Sequence, residues 1–277
     1  MLAPVTTDTI RRFAARDLCL HAHLLHACDP PSPELERAKR VLYGGPEEAP
    51  IAFFADDPTE PRLVATRGDA LFLEGTLAPD RAGELAAWLE EASPRVVGTR
   101  SEALKEVLAG VFGREGWRRQ GLYGCAPGEL RPRPGSHEVR PLVAGDGAAM
   151  DALVAANRHE GIVDRAAGGS GSVPRDYRFM CDGLPVACYG AFEDGALVGM
   201  ISTVAVTDGY DSVCTLFVDR RYRRRGIAAA LLSRAVADRH AEGHGVDYGA
   251  ANDDPGICAL VTGLGFRRTA TGHIRWC

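Results

Sequence analysis

The densest chemical signal in the chain is Arg223-x-x-Gly226-x-Ala228. It lies between an apolar run, Thr215-Leu216-Phe217-Val218, and an alanine-rich one, Ile227-Ala228-Ala229-Ala230-Leu231-Leu232. The first run reads as a buried strand and the second as the start of a helix. The first turn of a helix carries unpaired N–H groups and a partial positive charge, and a glycine there lets a phosphate approach the backbone. Strand, basic turn and helix start together predict a site for a phosphate-bearing ligand. Nucleic acid is the competing reading of Arg220, Arg221, Arg223, Arg224 and Arg225. The formal net charge of −5 and the confinement of these arginines to one loop argue against a groove-length basic face.

The spacing is Arg/Gln-x-x-Gly-x-Gly/Ala. With the Gly265-Phe266 pair downstream, the chain from about 137 to 277 resembles the GCN5-related N-acetyltransferases, the GNAT family. The resemblance implies an α/β fold with a mixed, mostly antiparallel sheet flanked by helices. It also implies an acetyl group moved from acetyl-coenzyme A, the co-substrate, to a primary amine of a small molecule or protein by direct attack in a ternary complex. The pyrophosphate would sit on the backbone N–H groups of Arg224, Arg225, Gly226, Ile227, Ala228 and Ala229, with Arg223 adding charge. The pantetheine arm would lie beside Leu216, Phe217 and Val218 like an added strand, and an N–H there would stabilise the oxyanion. Asn252, after the next strand, is counted with the cofactor-binding residues.

Direct transfer makes two further demands. A lysine-like amine has a pKa of about 10.4, so a proton must leave before attack. The family often places a glutamate on the cofactor strand, six residues before Val218; here that position is Ser212, which alternation puts on the face of Cys214, Leu216 and Val218. The carboxylate is therefore missing there, and Asp211, or Glu160 with His159, is the candidate base. The family's tyrosine acid falls on Val261 or Ala259, depending on the anchor, and neither has a hydroxyl. Tyr248 on the preceding strand is the candidate substitute. A thiolate with a pKa near ~8.5 is also a tolerable leaving group without an acid.

These residues need a scaffold, and the rest of the sequence predicts one. A helix is expected over residues 7–28, a second over 33–42, then strands near 51–54, 62–66 and 70–74 separated by Pro/Asp/Gly turns. A helix over 80–91, a strand at 96–97, a helix capped by Ser101 and a strand over 117–123 follow. Residues 127–136, rich in Pro and Gly, read as a linker between a lobe at 1–126 and an acetyltransferase domain at 137–277. In the second lobe, helices at 146–157, 226–242 and 255–263 alternate with strands at 139–142, 186–193, 197–205, 212–218, 246–250 and 266–276. A polar loop at 166–173 and a short helix near 175–182 are also expected, and the resemblance implies that the region after the first helix, from Arg158-His159-Glu160-Gly161 through Gly168-Gly169-Ser170-Gly171-Ser172, shapes the acceptor pocket.

The halves rhyme: Gly116-Trp117-Arg118-Arg119 matches Gly265-Phe266-Arg267-Arg268. Residues from about 50 to 126 are expected to form a degenerate GNAT-like copy. Its equivalent loop, Pro79 to Glu84, carries Asp80 and Glu84 at the helix start, which would repel a pyrophosphate. Only the C-terminal copy should then hold cofactor.

Composition sets the remaining bounds. With 45% hydrophobic and 25% charged residues the chain reads as an ordinary globular protein. It has no run of the ~18 apolar residues that span a membrane. No export signal is evident, and the eight cysteines include no C-x-x-C pair, so reduced thiols and a cytoplasmic location are expected. His21, His23, His26, Cys28 and Asp29 resemble a metal cluster, but they read as solvated or capping residues near a helix end. No Gly-x-Ser-x-Gly elbow supports a hydrolase. No nucleic-acid or membrane partner is expected, and the sequence does not set the oligomeric state. The alternative to an enzyme is a non-catalytic acyl-coenzyme A sensor, favoured by the missing glutamate and tyrosine.

Overall fold

Short apolar runs separated by turn residues become strands, and longer runs with helical spacing become the helices that cover them. The computed structural model describes residues 2–14, 52–67, 70–94, 96–156, 186–207, 209–251 and 254–277. The N-terminal half contains β1 (Ala3–Pro4), α1 (Thr7–Ala14), β2 (Ala52–Ala55), β3 (Leu63–Arg67), β4 (Ala70–Gly75), α2 (Ala82–Glu90), β5 (Val96–Thr99), α3 (Glu102–Phe112) and β6 (Arg118–Cys125). The C-terminal half contains β7 (Glu138–Pro141), α4 (Gly147–Ala156), β8 (Val186–Glu193), β9 (Ala196–Thr207), β10 (Tyr210–Val218), α5 (Ile227–Ala241), β11 (Gly245–Ala251), α6 (Pro255–Gly263) and β12 (Arg267–Trp276).

Local chemistry accounts for the helix starts. Ser101 Oγ accepts from the Leu104 amide at 3.4 Å and caps α3. Asp254 accepts from the Ile257 amide at 2.9 Å and caps α6, with Pro255 in its first turn. Of the helix expected over 7–28, the described part is α1. The helices expected at 33–42 and 175–182, the loop 166–173 and the histidine-rich segment 21–29 lie outside the described residues. The two-residue strand β1 was not anticipated.

The strands form one 12-stranded sheet in the order β1-β2-β3-β4-β5-β12-β6-β11-β10-β9-β8-β7. Only β4–β5 and β10–β11 are parallel, so the sheet is mixed and mostly antiparallel, as expected. Adding six to each strand number of one half gives the other half, read backwards along the sheet. The exchange at the centre is reciprocal: β6 pairs with β11 and β12, while β12 pairs with β5 and β6. Each half thus lends its last strand to the other, and the sheet does not part at the proline-rich segment.

Among the described residues, Ile10 and Phe13 of α1 pack on Phe53, Ala55 and Val64, and two larger apolar cores lie under the other helices. Leu71, Leu73, Leu85, Trp88, Leu89, Val97, Leu104 and Leu108 fill the space beneath α2 and α3. Tyr123 and Cys125 of β6 join Val246, Tyr248 and Ala250 of β11 beneath α5 and α6, with Ile227, Leu231, Ala235 and Val261. The second core therefore depends on a strand from the first half.

Residues 127–136, expected to have little to bury, belong to a strap that crosses α6 and α5. The Arg131 amide donates to the Leu264 carbonyl at 2.8 Å. The Arg133 amide donates to Ser233 Oγ at 2.8 Å, and Leu130 packs against the core. Among the described residues no helix is long and apolar enough to cross a membrane. Cys125, Cys188, Cys258 and Cys277 are free thiols.

Candidate active site

β10 leads through a short 3-10 turn, Arg220–Tyr222, into α5. Asp219 begins this turn. The residue is 3% exposed, and its carboxylate accepts from the Arg221 amide at 2.9 Å and from Arg221 Nη2 at 2.7 Å. That carboxylate is therefore neutralised within the loop. Gly226 stands at the N-cap of α5 with φ +82°, and no side chain caps the helix. A Cβ at Gly226 would meet nothing within 4 Å. The first-turn amides of Ile227, Ala228 and Ala229 have no carbonyl to bond within the helix. An open approach, unbonded donors and the positive end of a 15-residue helix make an anion cradle.

The arginines around this turn have separate tasks. Arg223 Nε donates to the Val218 carbonyl at 2.9 Å, tying the turn to the end of β10. Arg224 adopts φ +66°, a left-handed conformation uncommon for a side-chain-bearing residue. Arg225 Nη1 donates to Glu193 Oε1 at 3.0 Å, and Glu193 Oε2 lies 3.1 Å from His137 Nε2. Glu193 thus joins the end of the strap to the cradle. Arg223, Arg224 and Arg225 are all exposed.

Beside the cradle the sheet forks. The parallel strands β10 and β11 pair from Tyr210↔Gly245 to Val213↔Tyr248. Beyond that point β11 continues to Ala251 against β6, and β10 continues to Val218 against β9. Leu216, Phe217 and Val218 therefore line the open arm of the fork, next to the cradle. The N-terminal equivalent is closed. β4 and β5 pair from Ala70↔Val96 to Leu73↔Thr99, the whole length of β5. At its mouth Arg100 Nε lies 2.9 Å from Glu74 Oε2, with side chains 14% and 2% exposed.

Strand parity differs from the sequence expectation. The β9–β10 register shifts between Val213 and Thr215, where two steps on β10 match one on β9. This bulge puts Ser212 on the face of Phe217, and Asp211 and Val213 on the face of Leu216 and Val218. Simple alternation had grouped Ser212 with Leu216 and Val218. Val213, Leu216 and Val218 pack against the core under α5 and α6, consistent with the shifted parity.

Of the residues expected to move protons, Tyr248 and Asp211 are described, and they have separate surroundings. Tyr248 stands at the closing pair of the fork, where burial pushes its phenol up to about 12, with Asp254 and Cys258 adding to the shift. Asp211 lies two residues below the fork's last pair and is 2% exposed. Its Oδ1 is 2.6 Å from His244 Nδ1 and its Oδ2 is 3.9 Å from Arg239 Nη1, so it fastens the C-terminal end of α5 to β10. Glu160, His159 and Asn252 lie outside the described residues. Among the described residues no group of three or more His, Cys, Asp or Glu could hold a metal. Sequence reasoning missed Glu193 and His137, whose meeting needs β8 and the strap together. It also missed every residue that β6 brings to this side of the sheet.

Residues 163–266 match the model of the Acetyltransferase (GNAT) family. No curated protein matches the chain. Among solved structures, a Drosophila protein is similar over 100% of this chain and 98% of its own, at 14% identity and a TM-score of 0.65. A GCN5-related N-acetyltransferase from Sphaerobacter thermophilus is similar over 100% and 95%, at 17% identity and a TM-score of 0.57. A tandem GNAT protein from the clavulanic acid biosynthesis pathway is similar over 100% and 98%, at 13% identity and a TM-score of 0.54. At these identities the likeness is one of fold, and it extends over both halves.

Proposed function

With a GNAT-family domain at residues 163–266 as the premise, we propose that the protein moves an acetyl group from acetyl-coenzyme A to a primary amine. The observation that carries this reading is the uncapped first turn of α5 beside the open fork of β10 and β11. Acetyl-coenzyme A supplies the thioester whose acetyl carbon the amine attacks.

The chain's own residues divide the task. The amides of Gly226, Ile227, Ala228 and Ala229 hold the diphosphate, with Arg224 and Arg225 adding charge around it. The edge of β10 at Leu216 to Val218, which β11 leaves uncovered, offers the amide-bearing arm a strand to pair with, short of the Val218 carbonyl that Arg223 holds. A backbone N–H of the same stretch faces the carbonyl oxygen as negative charge develops there. In the transfer an N–C bond forms and the C–S bond breaks. An ammonium acceptor gives up two protons in becoming an amide; one goes to the departing thiolate and one to solvent. Tyr248, protonated at neutral pH and buried at the closing pair of the fork, is the proposed acid for the thiolate. The N-terminal half, with a zipped fork and an acidic helix start at Asp80 and Glu84, is proposed to bind no cofactor.

A thiol-release assay with acetyl-coenzyme A over a panel of polyamines, aminosugars and lysine-containing peptides tests the reading. Turnover with any of them is the expected result. Calorimetric binding of coenzyme A with no turnover over the panel would instead favour a sensor.

A further inference from the structure

We propose that Asp247 receives the acceptor amine as a cation, in a recess completed by Gln120 from the N-terminal half. The proposal rests on the acetyltransferase reading and names the acceptor side of the same site.

The helix side of the fork is filled. Tyr248, Val213, Leu216 and Val218 pack there against Ile227, Leu231 and Val261. An acceptor must therefore reach the fork from the opposite face. On that face the register aligns Ser212 of β10, Asp247 of β11 and Gly124 of β6 in one row, at the point where the fork closes. Ser212, Asp247, Gly249, Gln120 and Leu122 are half-buried, whereas Tyr123, Val246, Tyr248 and Ala250 on the other face are buried.

Glycines make the recess. Asp247 is flanked on its own face by Gly245 and Gly249, each about 7 Å away along the strand. The Gln120 carboxamide lies across Gly249, where a Cβ would collide with its nitrogen. The Tyr210 ring lies across Gly245, where a Cβ would come within 2.9 Å of the ring. The Tyr210 hydroxyl would be 3.5 Å from a Cβ at Gly124. A carboxylate is thus bracketed by a carboxamide, a phenol and the Ser212 hydroxyl. Asp247 is the one acid on this face of β6, β10 and β11 among the described residues. An alkylammonium has three N–H donors and one charge, and this group offers oxygen acceptors and the opposite charge. The ammonium proton passes to Asp247 and on to solvent, leaving a neutral amine beside the closing pair of the fork.

The exchange of β6 gives the N-terminal half a role in the site, because Gln120 reaches the C-terminal fork only through that strand.

The test compares Asp247→Asn and Gln120→Leu with the unmodified protein, using the best acceptor of the amine panel. Asp247→Asn is expected to raise the amine KM roughly 10- to 100-fold, the value of a hydrogen bond to a charged group. The acetyl-coenzyme A KM and the calorimetric affinity for coenzyme A should stay within about threefold of the unmodified protein, because both depend on the α5 cradle and not on this face. Gln120→Leu should raise the amine KM in the same direction and by less. An amine KM unchanged in both variants, or an acetyl-coenzyme A KM that rises in parallel, would overturn the proposal while leaving the transferase reading intact. An unmodified protein that binds coenzyme A but acetylates no amine would overturn both.

Discussion

Val213 and Tyr248 face one another as the last pair before β10 and β11 separate. Everything the site does is referred to this point: one arm of the fork leads to the α5 cradle, one face is core, and the other face is polar. Tyr248 is buried on the core face with its phenol pushed up to about 12. It therefore keeps its proton across the neutral range.

Tyr248→Phe should lower kcat by roughly 10- to 100-fold if the phenol serves the thiolate, the contribution of a positioned acid being modest for so good a leaving group. Coenzyme A affinity should not change. Single-turnover kinetics and calorimetry on the same sample check both halves of this statement. An unchanged kcat would assign Tyr248 to the core alone.

The acid limb of stability should report Asp146. Arg140 bonds both carboxylate oxygens at 2.8 Å and the Val143 amide bonds one of them, holding the group down at about 2. Its folded pKa lies below the unfolded value, so the stabilisation is fully present above about pH 4 and fades as pH falls toward 2. Urea midpoints of Asp146→Asn should therefore vary less with pH across that window than those of the unmodified protein.

The ion pair that closes the N-terminal fork should be structural. Removing Arg100 leaves Glu74 buried without its guanidinium; Arg100→Ala should cost about 3 kcal/mol, at the low end for a buried pair because Arg100 keeps some exposure. The double variant Glu74→Leu with Arg100→Leu should recover most of that loss. Denaturant unfolding of the two variants beside the unmodified protein measures it, and neither change should alter coenzyme A affinity.

A chain beginning at residue 137 should not fold alone. It lacks β6, which separates β11 from β12 and supplies Tyr123 and Cys125 to the core under α5. Circular dichroism and size-exclusion chromatography of that fragment should show an unfolded or aggregated chain. Adding residues 1–126 in trans should restore part of the native signal.

The cradle was legible in the sequence because it is local: strand, basic turn, glycine and helix lie within about 18 consecutive residues. The helix caps Ser101 and Asp254 were legible for the same reason. Parity along β10 was not, since one extra residue near Cys214 reverses the faces and has no side-chain signature. The exchange of β6 and β12 was also hidden. Gln120 and Asp247 are 127 positions apart in sequence and come onto one face of neighbouring strands only because a strand of one half pairs in the other. The proline-rich segment 127–136 has the composition of a linker, yet its backbone amides find partners on α5 and α6 that no local pattern announces.

Calorimetric titration of coenzyme A into Gly226→Asp and Gly226→Asn tests the cradle most directly. Both side chains tolerate the left-handed backbone at φ +82°, and the space around Gly226 is open, so the two variants differ in charge alone. Charges about 4 Å apart near a surface repel by about 4 kcal/mol. Asn should bind within about tenfold of the unmodified protein, and Asp should lose more than about 100-fold. Equal affinities in the two variants would contradict a diphosphate held at the start of α5.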